Sequence, residues 1–466
     1  MSEASPTQRS DWMDTIRPYL KWQIIAMLVL GFASGLPLMM VFSKLSFWLR
    51  EVGLDRAEIG GFYAVTLAYS IKWLWSPAVD SVRLPGLSRL GQRRSWMLLA
   101  LAGTALGLFL IGASDPANNI YPTIAGALIL AYSGATLDIA VDAWRIESAP
   151  DDEQANMAAV YILGYRFAIM FAGFGLVVAG WTNFFIAYGL MALVMVLIGV
   201  VVLFVREPVR VVKDTVEGRG VFAIIRDAII EPFWQIVARF GKWVVPVLAI
   251  VALYRISDFT MGVMASPFYV DLGYSRETVG AITGLFGPWP VVVGGFLGGF
   301  VAIRFKLMPA LLVGGVITVL TNAAFASLAY MAGPELDAAA SGVAGAVVNT
   351  PPTSALLGVI VADNLAAGYV GAVFIAYLSS LVDRRFAATQ YAVMSSLYSF
   401  FAKLVASSTS GPLAETVGWA NFFIVTAGFG LPAILLIIWV MMAGPNHARG
   451  IRDDAPQRAA ETDETA

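Results

Sequence analysis

Residues 184–204 read FFIAYGLMALVMVLIGVVVLF and contain no charged side chain. An α-helix of about 20 apolar residues crosses the roughly 30 Å hydrocarbon core of a bilayer, so this stretch predicts a transmembrane helix. The whole chain has the same character, because 58% of its 466 residues are hydrophobic and only 13% are charged. An ordinary soluble domain has about 45–50% apolar and about 25% charged residues. The sequence therefore predicts an all-α polytopic membrane protein.

Apolar runs of similar length recur along the chain and predict twelve transmembrane helices. We place them at residues 22–44, 58–78, 96–113, 121–145, 155–180, 184–205, 244–270, 278–301, 307–331, 355–381, 388–412 and 419–443. The polar N-terminal segment leads into the first run without a short apolar core and a small-residue cleavage site, so we expect no removed signal peptide.

The distribution of basic residues predicts that both termini are cytoplasmic. Of the 30 Lys and Arg residues, most fall in the tails and in the loops that an even number of crossings places on the same side as the N-terminus. The loops on the other side hold only Lys44, Arg50, Arg56 and Arg276. Cytoplasmic loops of membrane proteins retain Lys and Arg, which gives this orientation.

The longest charged interruption divides the predicted helices into two groups of six. The predicted units are a tail at 1–21, a first bundle at 22–205, a central cytoplasmic loop at 206–243, a second bundle at 244–443 and a tail at 444–466. Apolar and charged residues alternate at helical spacing between Val221 and Phe233. This part of the loop is either an amphipathic helix on the membrane surface or a solvated linker.

Composition also excludes several classes of function. The formal net charge is −2, so no basic field is present to hold nucleic acid. Cysteine is absent, and the only histidine, His447, follows the last apolar run. These counts exclude disulfides, thiolate metal sites and buried histidine ligands, and we expect neither a metal nor a cofactor.

Eight ionisable residues fall inside predicted helices, where each costs at least roughly 2.5–3.5 kcal/mol on insertion scales. The basic ones are Lys72, Arg166, Arg255 and Lys403, and the acidic ones are Asp138, Asp142, Asp258 and Asp363. Charges at such positions usually pair with one another or serve function. We expect the basic residues to bind an anionic substrate and the acidic residues to carry protons.

Local spacing leaves structural alternatives open for some of these residues. Arg255 and Asp258 lie three positions apart and can pair on their own helix. Asp138 and Asp142 share a helical face, and like charges so close favour protonation of one of them. We favour a function for Asp138, whereas Asp142 can simply meet water and Arg145.

Arg166 is the best single candidate for binding substrate, because no carboxylate lies on its own helical turn. Lys72 is followed by Trp73, so a cation and an aromatic surface that can stack on a sugar ring share one turn. Asp80 precedes Arg93 and Arg94 across a short loop. We predict an inner gate there, although ordinary topogenic charge also explains the two arginines.

Several strings together resemble the muropeptide permeases of the AmpG type, a branch of the major facilitator superfamily. The strings are GFASGLPL at 31–38, KWLWSP at 72–77 with Asp80, DIAVDAW at 138–144, LGYR at 163–166, LYR at 253–255 with Asp258, DN at 363–364 and FAATQY at 386–391. They occur in order over about residues 22–443. The six-plus-six layout agrees with that superfamily.

The resemblance implies a major facilitator fold and proton-driven import of anhydro-muropeptides into the cytoplasm of a Gram-negative bacterium, with an indirect part in β-lactamase induction. It implies an inner-membrane location, and we expect a monomer that binds a small molecule, protons and lipid. Four further candidate substrate-binding residues lie in the matching strings: Tyr165, Tyr254, Asn364 and Gln390. The chain departs from the family at Leu137, where the permeases usually have a glutamine.

Two alternatives remain at the level of sequence. The first keeps transport but changes the cargo to another amphipathic anion, such as acetyl-CoA or a peptide, and Leu137 favours it. The second is a membrane enzyme or sensor. The absence of cysteine, of a buried histidine and of a carboxylate cluster in an aqueous loop speaks against the second.

Overall fold

The computed structural model describes residues 21–148, 154–208, 231–382 and 387–450. All regular secondary structure in these ranges is helical. We number the membrane spans in chain order as α1 Trp22–Glu51, α2 residues 56–81, α3 Gln92–Ala113, α4 Tyr121–Ser148, α5 Gln154–Trp181, α6 Phe184–Phe204, α7 residues 244–271, α8 Arg276–Phe305, α9 Leu307–Ala332, α10 Thr353–Leu381, α11 residues 387–417 and α12 residues 419–443.

Within the described residues, ten helices are long and apolar enough to cross a membrane. One of them, Met394–Ala443, is 50 residues long and contains Gly418 with φ of 75°, which no α-helix adopts, so it comprises α11 and α12. Span α2 falls outside the ten because it is a succession of short pieces, Arg56–Phe62, Ala68–Ile71 and Ser76–Ser81, joined by 3₁₀ turns. The twelve predicted spans are consistent with this architecture.

Two interruptions of regular helix affect where predicted site residues lie. Pro77 stands at the start of Ser76–Ser81 and has no N–H to donate, so α2 restarts there and Lys72 lies in a 3₁₀ turn. Span α7 consists of Val244–Leu253 and Ile256–Asp271, with Arg255 between them. The two breaks place two of the predicted cations at points where the helix is discontinuous.

The prediction that four basic residues lie in outer loops is wrong, because all four belong to helices. Span α1 continues through a π-helical turn, Met40–Lys44, to Glu51, so Lys44 and Arg50 belong to the helix. Arg56 is the first residue of α2 and Arg276 is the first residue of α8. Each of these side chains has a hydrogen-bond partner in the other half of the chain, which explains how a charge is accommodated at a helix end.

Two shorter helices flank the spans. Glu231–Phe240 precedes α7, and Leu336–Ala340 lies in the connection between α9 and α10. Most of the segment predicted to form an amphipathic helix, residues 221–230, lies outside the described residues. The predicted tail at 1–21 also lies outside them except for its last residue, as does most of the tail at 444–466.

Small residues allow the two halves to approach each other at one end of the molecule. Gly60 of α2 packs against the backbone of Gly411 in α11, and Gly173 of α5 packs against Gly284 in α8. Close backbone approach of this kind is typical of helix contacts in membranes. At the same end, the hydroxyls of Ser43 and Ser266 are 3.0 Å apart.

We predict that Gly60→Ala will destabilise the contact between the halves. A Cβ atom at Gly60 would lie 2.7 Å from the backbone nitrogen of Gly411, closer than packed atoms permit. Overpacking of this kind costs about 1–3 kcal/mol. Thermal unfolding in detergent should show a lower midpoint for this variant.

The matched control is Gly61→Ala on the next residue of the same helix. A Cβ atom at Gly61 meets no atom within 4 Å. The control should unfold at the wild-type temperature or slightly above it, because alanine favours helix over glycine. Equal midpoints for the two variants would contradict the packing argument.

Candidate functional site

The central ion pair of the first half joins α2 to α4. The Nζ atom of Lys72 lies 3.3 Å from Oδ2 of Asp138, and the two side chains are 32% and 13% exposed. The other carboxylate oxygen of Asp138 is buried and has no hydrogen-bond partner among the described residues. One oxygen of this carboxylate is therefore paired with Lys72, and the other has no partner among the described residues.

Asp142 occupies a different environment from Asp138. Its side chain is 46% exposed and lies 3.8 Å from the guanidinium of Arg145 on the next turn of α4. The geometry matches the alternative in which Asp142 meets water and Arg145. The predicted roles of both residues in proton coupling remain predictions.

Three tyrosines surround Asp138 closely enough to interact electrostatically with its carboxylate: Tyr69 of α2 and Tyr161 and Tyr165 of α5. Only Tyr165 is predicted from the sequence. The hydroxyl of Tyr69 is buried and has no hydrogen-bond partner among the described residues. A tyrosine within an apolar run carries no sequence signal of its own, which is why Tyr69 and Tyr161 are found only in the structure.

Lys403 brings the second half of the chain into this cluster. It comes from α11, donates a hydrogen bond to the carbonyl of Thr66 in α2, and is only 7% exposed. Its Nζ atom lies 5.7 Å from the ring centre of Tyr69, a cation–π contact. Lys72, Asp138 and Lys403 therefore meet at the junction of the two halves, and we call these three residues the central charge cluster.

Arg166 lines a lateral crevice of about 540 Å³ between α5, α8 and α10. The apolar walls include Leu163, Val292, Phe296 and Ile375. Within the described part of the chain Arg166 forms no salt bridge. The neighbouring side chain that interacts electrostatically with its guanidinium is Tyr165. A guanidinium in this position is free to bind an anionic group that enters the crevice.

The second half contains its own group of predicted residues at the break in α7. Arg255 Nε lies 3.2 Å from Oδ2 of Asp258, although the angle does not satisfy a hydrogen bond. Asp363 of α10 interacts electrostatically with both residues. The local pairing expected for Arg255 and Asp258 is present, and a second carboxylate stands next to it.

The remaining predicted binding residues are dispersed. Tyr254 is 4% exposed and donates its hydroxyl hydrogen to the carbonyl of Leu311, so it packs in the core of the second half. Asn364 donates to the carbonyl of Ile360 on its own helix. Gln390 is 2% exposed, and Trp73 is 45% exposed. The structure does not gather these four side chains around one point, and their roles stay predictions.

The predicted gate residues form a network inside the first half. Arg93 pairs with Asp80 at 2.6 Å and with Glu147 of α4 at 2.6 Å. The backbone N–H groups of Arg93 and Arg94 donate to the carboxylate of Glu207 just beyond α6. These contacts tie α2, α3, α4 and α6 together in this conformation and do not reach the second half. The gate role remains a prediction.

The strongest ionic contacts between the halves lie at the opposite end and were not expected from the sequence. Asp271 at the end of α7 accepts a hydrogen bond from Arg50 at 2.6 Å and lies 3.5 Å from Arg56. Arg56 also pairs with Asp337 at 3.1 Å. We call Arg50, Arg56, Asp271 and Asp337 the latch. The predicted loop positions of Arg50 and Arg56 favour charges that contact water. No pattern in the sequence indicates that residues more than 200 positions apart form ion pairs.

Comparisons with known proteins identify a family. The sequence pattern of the Major Facilitator Superfamily matches residues 24–400. The chain is 31% identical over 422 residues to the putative transporter AmpG 4 of Rickettsia conorii, covering 90% of this chain and 96% of that protein. It is 27% identical over 419 residues to the anhydromuropeptide permease of Escherichia coli K12, covering 88% of this chain and 78% of the relative.

Solved structures share the fold at low sequence identity. A bacterial homologue of the human lysosomal transporter Spinster, in an inward-facing and unoccupied conformation, superposes with a TM-score of 0.65 at 15% identity, covering 94% of this chain and 100% of that chain. A D-xylose–proton symporter superposes with a TM-score of 0.64 at 12% identity, covering 91% of this chain and 98% of that chain. The chain therefore shares the overall fold of these two transporters.

We predict that Asp138→Asn will lower the free energy of unfolding, because Lys72 then lacks its carboxylate. Leaving a partly buried group without its partner costs about 1–3 kcal/mol. Asp142→Asn is the matched control, and its effect should be within about 0.5 kcal/mol, the usual range for exposed positions. Chemical denaturation in detergent measures both.

A double-mutant cycle separates the ion pair from other effects of the substitution. Lys72→Met combined with Asp138→Asn should be less destabilising than the sum of the two single changes. Additive effects would show that the pair contributes nothing to stability.

Proposed function

The chain belongs to the major facilitator superfamily and to its AmpG-type transporters, and from that premise we propose that it imports anhydro-muropeptides together with protons. The observation that carries the proposal is the central charge cluster, in which two lysines from different halves and one partly unpaired acid meet. Binding sites of such transporters lie where the two halves face each other. The relatives are transporters, and the chain is not an enzyme.

The chemistry of the cluster suits the proposed ligand. An anhydro-muropeptide carries carboxylates, for which Lys72, Lys403 and Arg166 supply cations, and sugar rings, for which Tyr161 and Tyr165 supply aromatic surfaces. Arg255 offers a further cation at the break in α7 of the second half. A site rich in cations and tyrosines selects an anion with flat apolar faces.

The departure at Leu137 weighs less than the sequence suggests. Its side chain is fully buried in the core of the first half, whereas Asp138 next to it faces the cluster. A buried leucine at this position removes no group from the binding surface in this conformation. The substitution therefore does not argue for a different cargo.

Proton coupling is proposed to use Asp138, with Asp258 and Asp363 as a second acidic pair. Protonation of Asp138 would release Lys72, which could then bind a carboxylate of the ligand. Release of the ligand into the cytoplasm would let Lys72 pair with Asp138 again, and Asp138 would lose its proton to the cytoplasm. One shared lysine thus links the charge of the cargo to the charge of the acid.

Location and orientation follow from the same proposal. The protein spans a membrane many times, and we infer that this is the bacterial inner membrane, with both termini cytoplasmic. The latch then lies on the periplasmic side, and the structure corresponds to a state closed to the periplasm. We propose that the transporter works as a monomer.

We predict gradient-dependent uptake of labelled N-acetylglucosamine–anhydro-N-acetylmuramic acid by proteoliposomes that contain the wild-type protein. An inward proton gradient should raise accumulation, and collapse of the gradient with a protonophore should abolish the increase. Absence of uptake by folded protein would contradict the proposed cargo. Uptake of acetyl-CoA or a free peptide in its place would support the alternative transporter of another anion.

Variants of two residues separate binding from coupling. Arg166→Ala should weaken binding of the anionic disaccharide by roughly tenfold, the usual value of one charge-assisted contact. Asp138→Asn should abolish accumulation against a gradient but preserve exchange down a gradient. Asp115→Asn, at an exposed position between α3 and α4, is the control for both. Unchanged accumulation by Asp138→Asn would move the proton site to Asp258 or Asp363.

Opening of the latch side should be necessary for transport. Ser43→Cys with Ser266→Cys places two thiols across the halves where the hydroxyls are 3.0 Å apart, and the chain has no other cysteine. Oxidation should block uptake and a reductant should restore it. Ser114→Cys with Thr123→Cys is the control, because these hydroxyls are 2.7 Å apart within the first half. Continued uptake by the oxidised cross-half pair would contradict alternating access through this side.

A further inference from the structure

The latch separates charge between the two halves. Both cations, Arg50 and Arg56, belong to the first half, and both carboxylates, Asp271 and Asp337, belong to the second. The arginines are deeply buried, with side chains 7% and 4% exposed. The first half therefore supplies both guanidinium groups of the latch, and the second half supplies both carboxylates.

The other contacts of the two arginines come from different halves, because Arg56 also contacts Ala414 and Trp419 of the second half. Arg50 donates to the backbone carbonyl of Leu54 within the first half, at 2.8 Å. Arg56 donates to the carbonyl of Ala414 and lies 4.4 Å from the ring centre of Trp419. Its Nη2 atom is buried and has no hydrogen-bond partner among the described residues. Arg56 therefore keeps one hydrogen-bond donor group that no described residue accepts from, even when the halves are in contact.

Separation of the halves on this side removes Asp271 and Asp337 from the arginines. Guanidinium cannot become neutral in a protein, so two adjacent positive charges remain at the mouth of the opened cavity. Carboxylate is the group that guanidinium binds bidentately, and the solute in the proposed function arrives at this side with carboxylates. The opened surface has the charge and geometry of a binding site for that solute.

We propose that Arg50 and Arg56 form an outer binding site for a carboxylate of the imported solute, which Asp271 and Asp337 occupy while the outer side is closed. The inference rests on the proposed function and on the orientation that places the latch outside. The solute and the two aspartates compete for the same cations. Binding of the anion stabilises the open state, and passage of the anion inward lets the aspartates return.

Competition for the arginines predicts that replacing an acidic residue of the latch and replacing a basic one shift the KM for uptake in opposite directions. Loss of a competing carboxylate in Asp271→Asn or Asp337→Asn should lower the KM for uptake. Loss of a cation in Arg56→Gln or Arg50→Gln should raise it, by roughly tenfold for one charge-assisted contact. A latch that only holds the halves together predicts one direction for all four variants, because each change increases the population that is open to solute.

A second ion pair between the halves supplies the matched control. Glu51 of the first half pairs with Arg276 of the second at 2.9 Å, so its polarity is opposite to that of the latch. Glu51→Gln should favour opening without altering the proposed site, and its KM should fall as in Asp271→Asn. Opposite shifts of KM for Arg56→Gln and Glu51→Gln support the site, whereas shifts in the same direction overturn it.

Spin labels report opening independently of uptake. Ala117→Cys and Val347→Cys place labels on exposed positions of the two halves on this side, in a chain without native cysteine. The distance distribution should lengthen in Asp271→Asn, and in the wild type on addition of the disaccharide. Unchanged distances in both cases overturn the inference.

The two proposals fail in different ways. Absence of uptake by the wild type refutes the proposed function and with it the identity of the anion. Normal uptake by the wild type, together with KM shifts in the same direction for Arg56→Gln and Glu51→Gln, refutes only the outer site. If Arg56→Gln does not fold, Arg50→Gln is compared with Glu51→Gln instead, and shifts of KM in the same direction overturn the site.

Discussion

The cost of placing charge in a membrane organises this structure. Each ionisable side chain within a span must find an opposite charge, a backbone carbonyl or water, since the hydrocarbon supplies none of these. Lys72 with Asp138, Arg255 with Asp258, and Arg50 with Asp271 are the resulting ion pairs. They differ in whether the partner lies in the same helix, the same half or the opposite half. That difference decides which pairs hold the fold and which can take part in a conformational change.

Helix breaks place the central pairs where they can change partners. Lys72 lies in a 3₁₀ turn before Pro77, and Arg255 lies between two helical segments of α7. Discontinuous helices near the membrane midplane are a recurrent way of building binding sites in transporters. The break in α2 therefore holds a cation of the first half, Lys72, and the break in α7 holds a cation of the second half, Arg255. Lys403 then brings the second half into the first half's cluster.

The two ends of the molecule are held together in different ways. At the latch end, glycine contacts and buried ion pairs cross between the halves. At the other end, Arg93 binds Asp80 and Glu147, and all three lie in the first half. The described contacts therefore join the two bundles at the latch end, and at the other end they tie helices of the first bundle together.

The class of protein, the approximate spans and most residues that carry intramembrane charge can be predicted from the sequence, because hydropathy and the cost of buried charge act locally along the chain. The sequence also determined the family through short strings such as 138–144. Partners from distant parts of the chain depend on the tertiary structure, which brings Lys403 to Lys72 and Asp138 and buries Leu137 in the core. Arg50 and Arg56 read as ordinary loop charges until folding brings Asp271 and Asp337 to them from more than 200 residues away. Pairing across such a distance depends on how twelve helices pack, and packing leaves no periodic signal in the sequence.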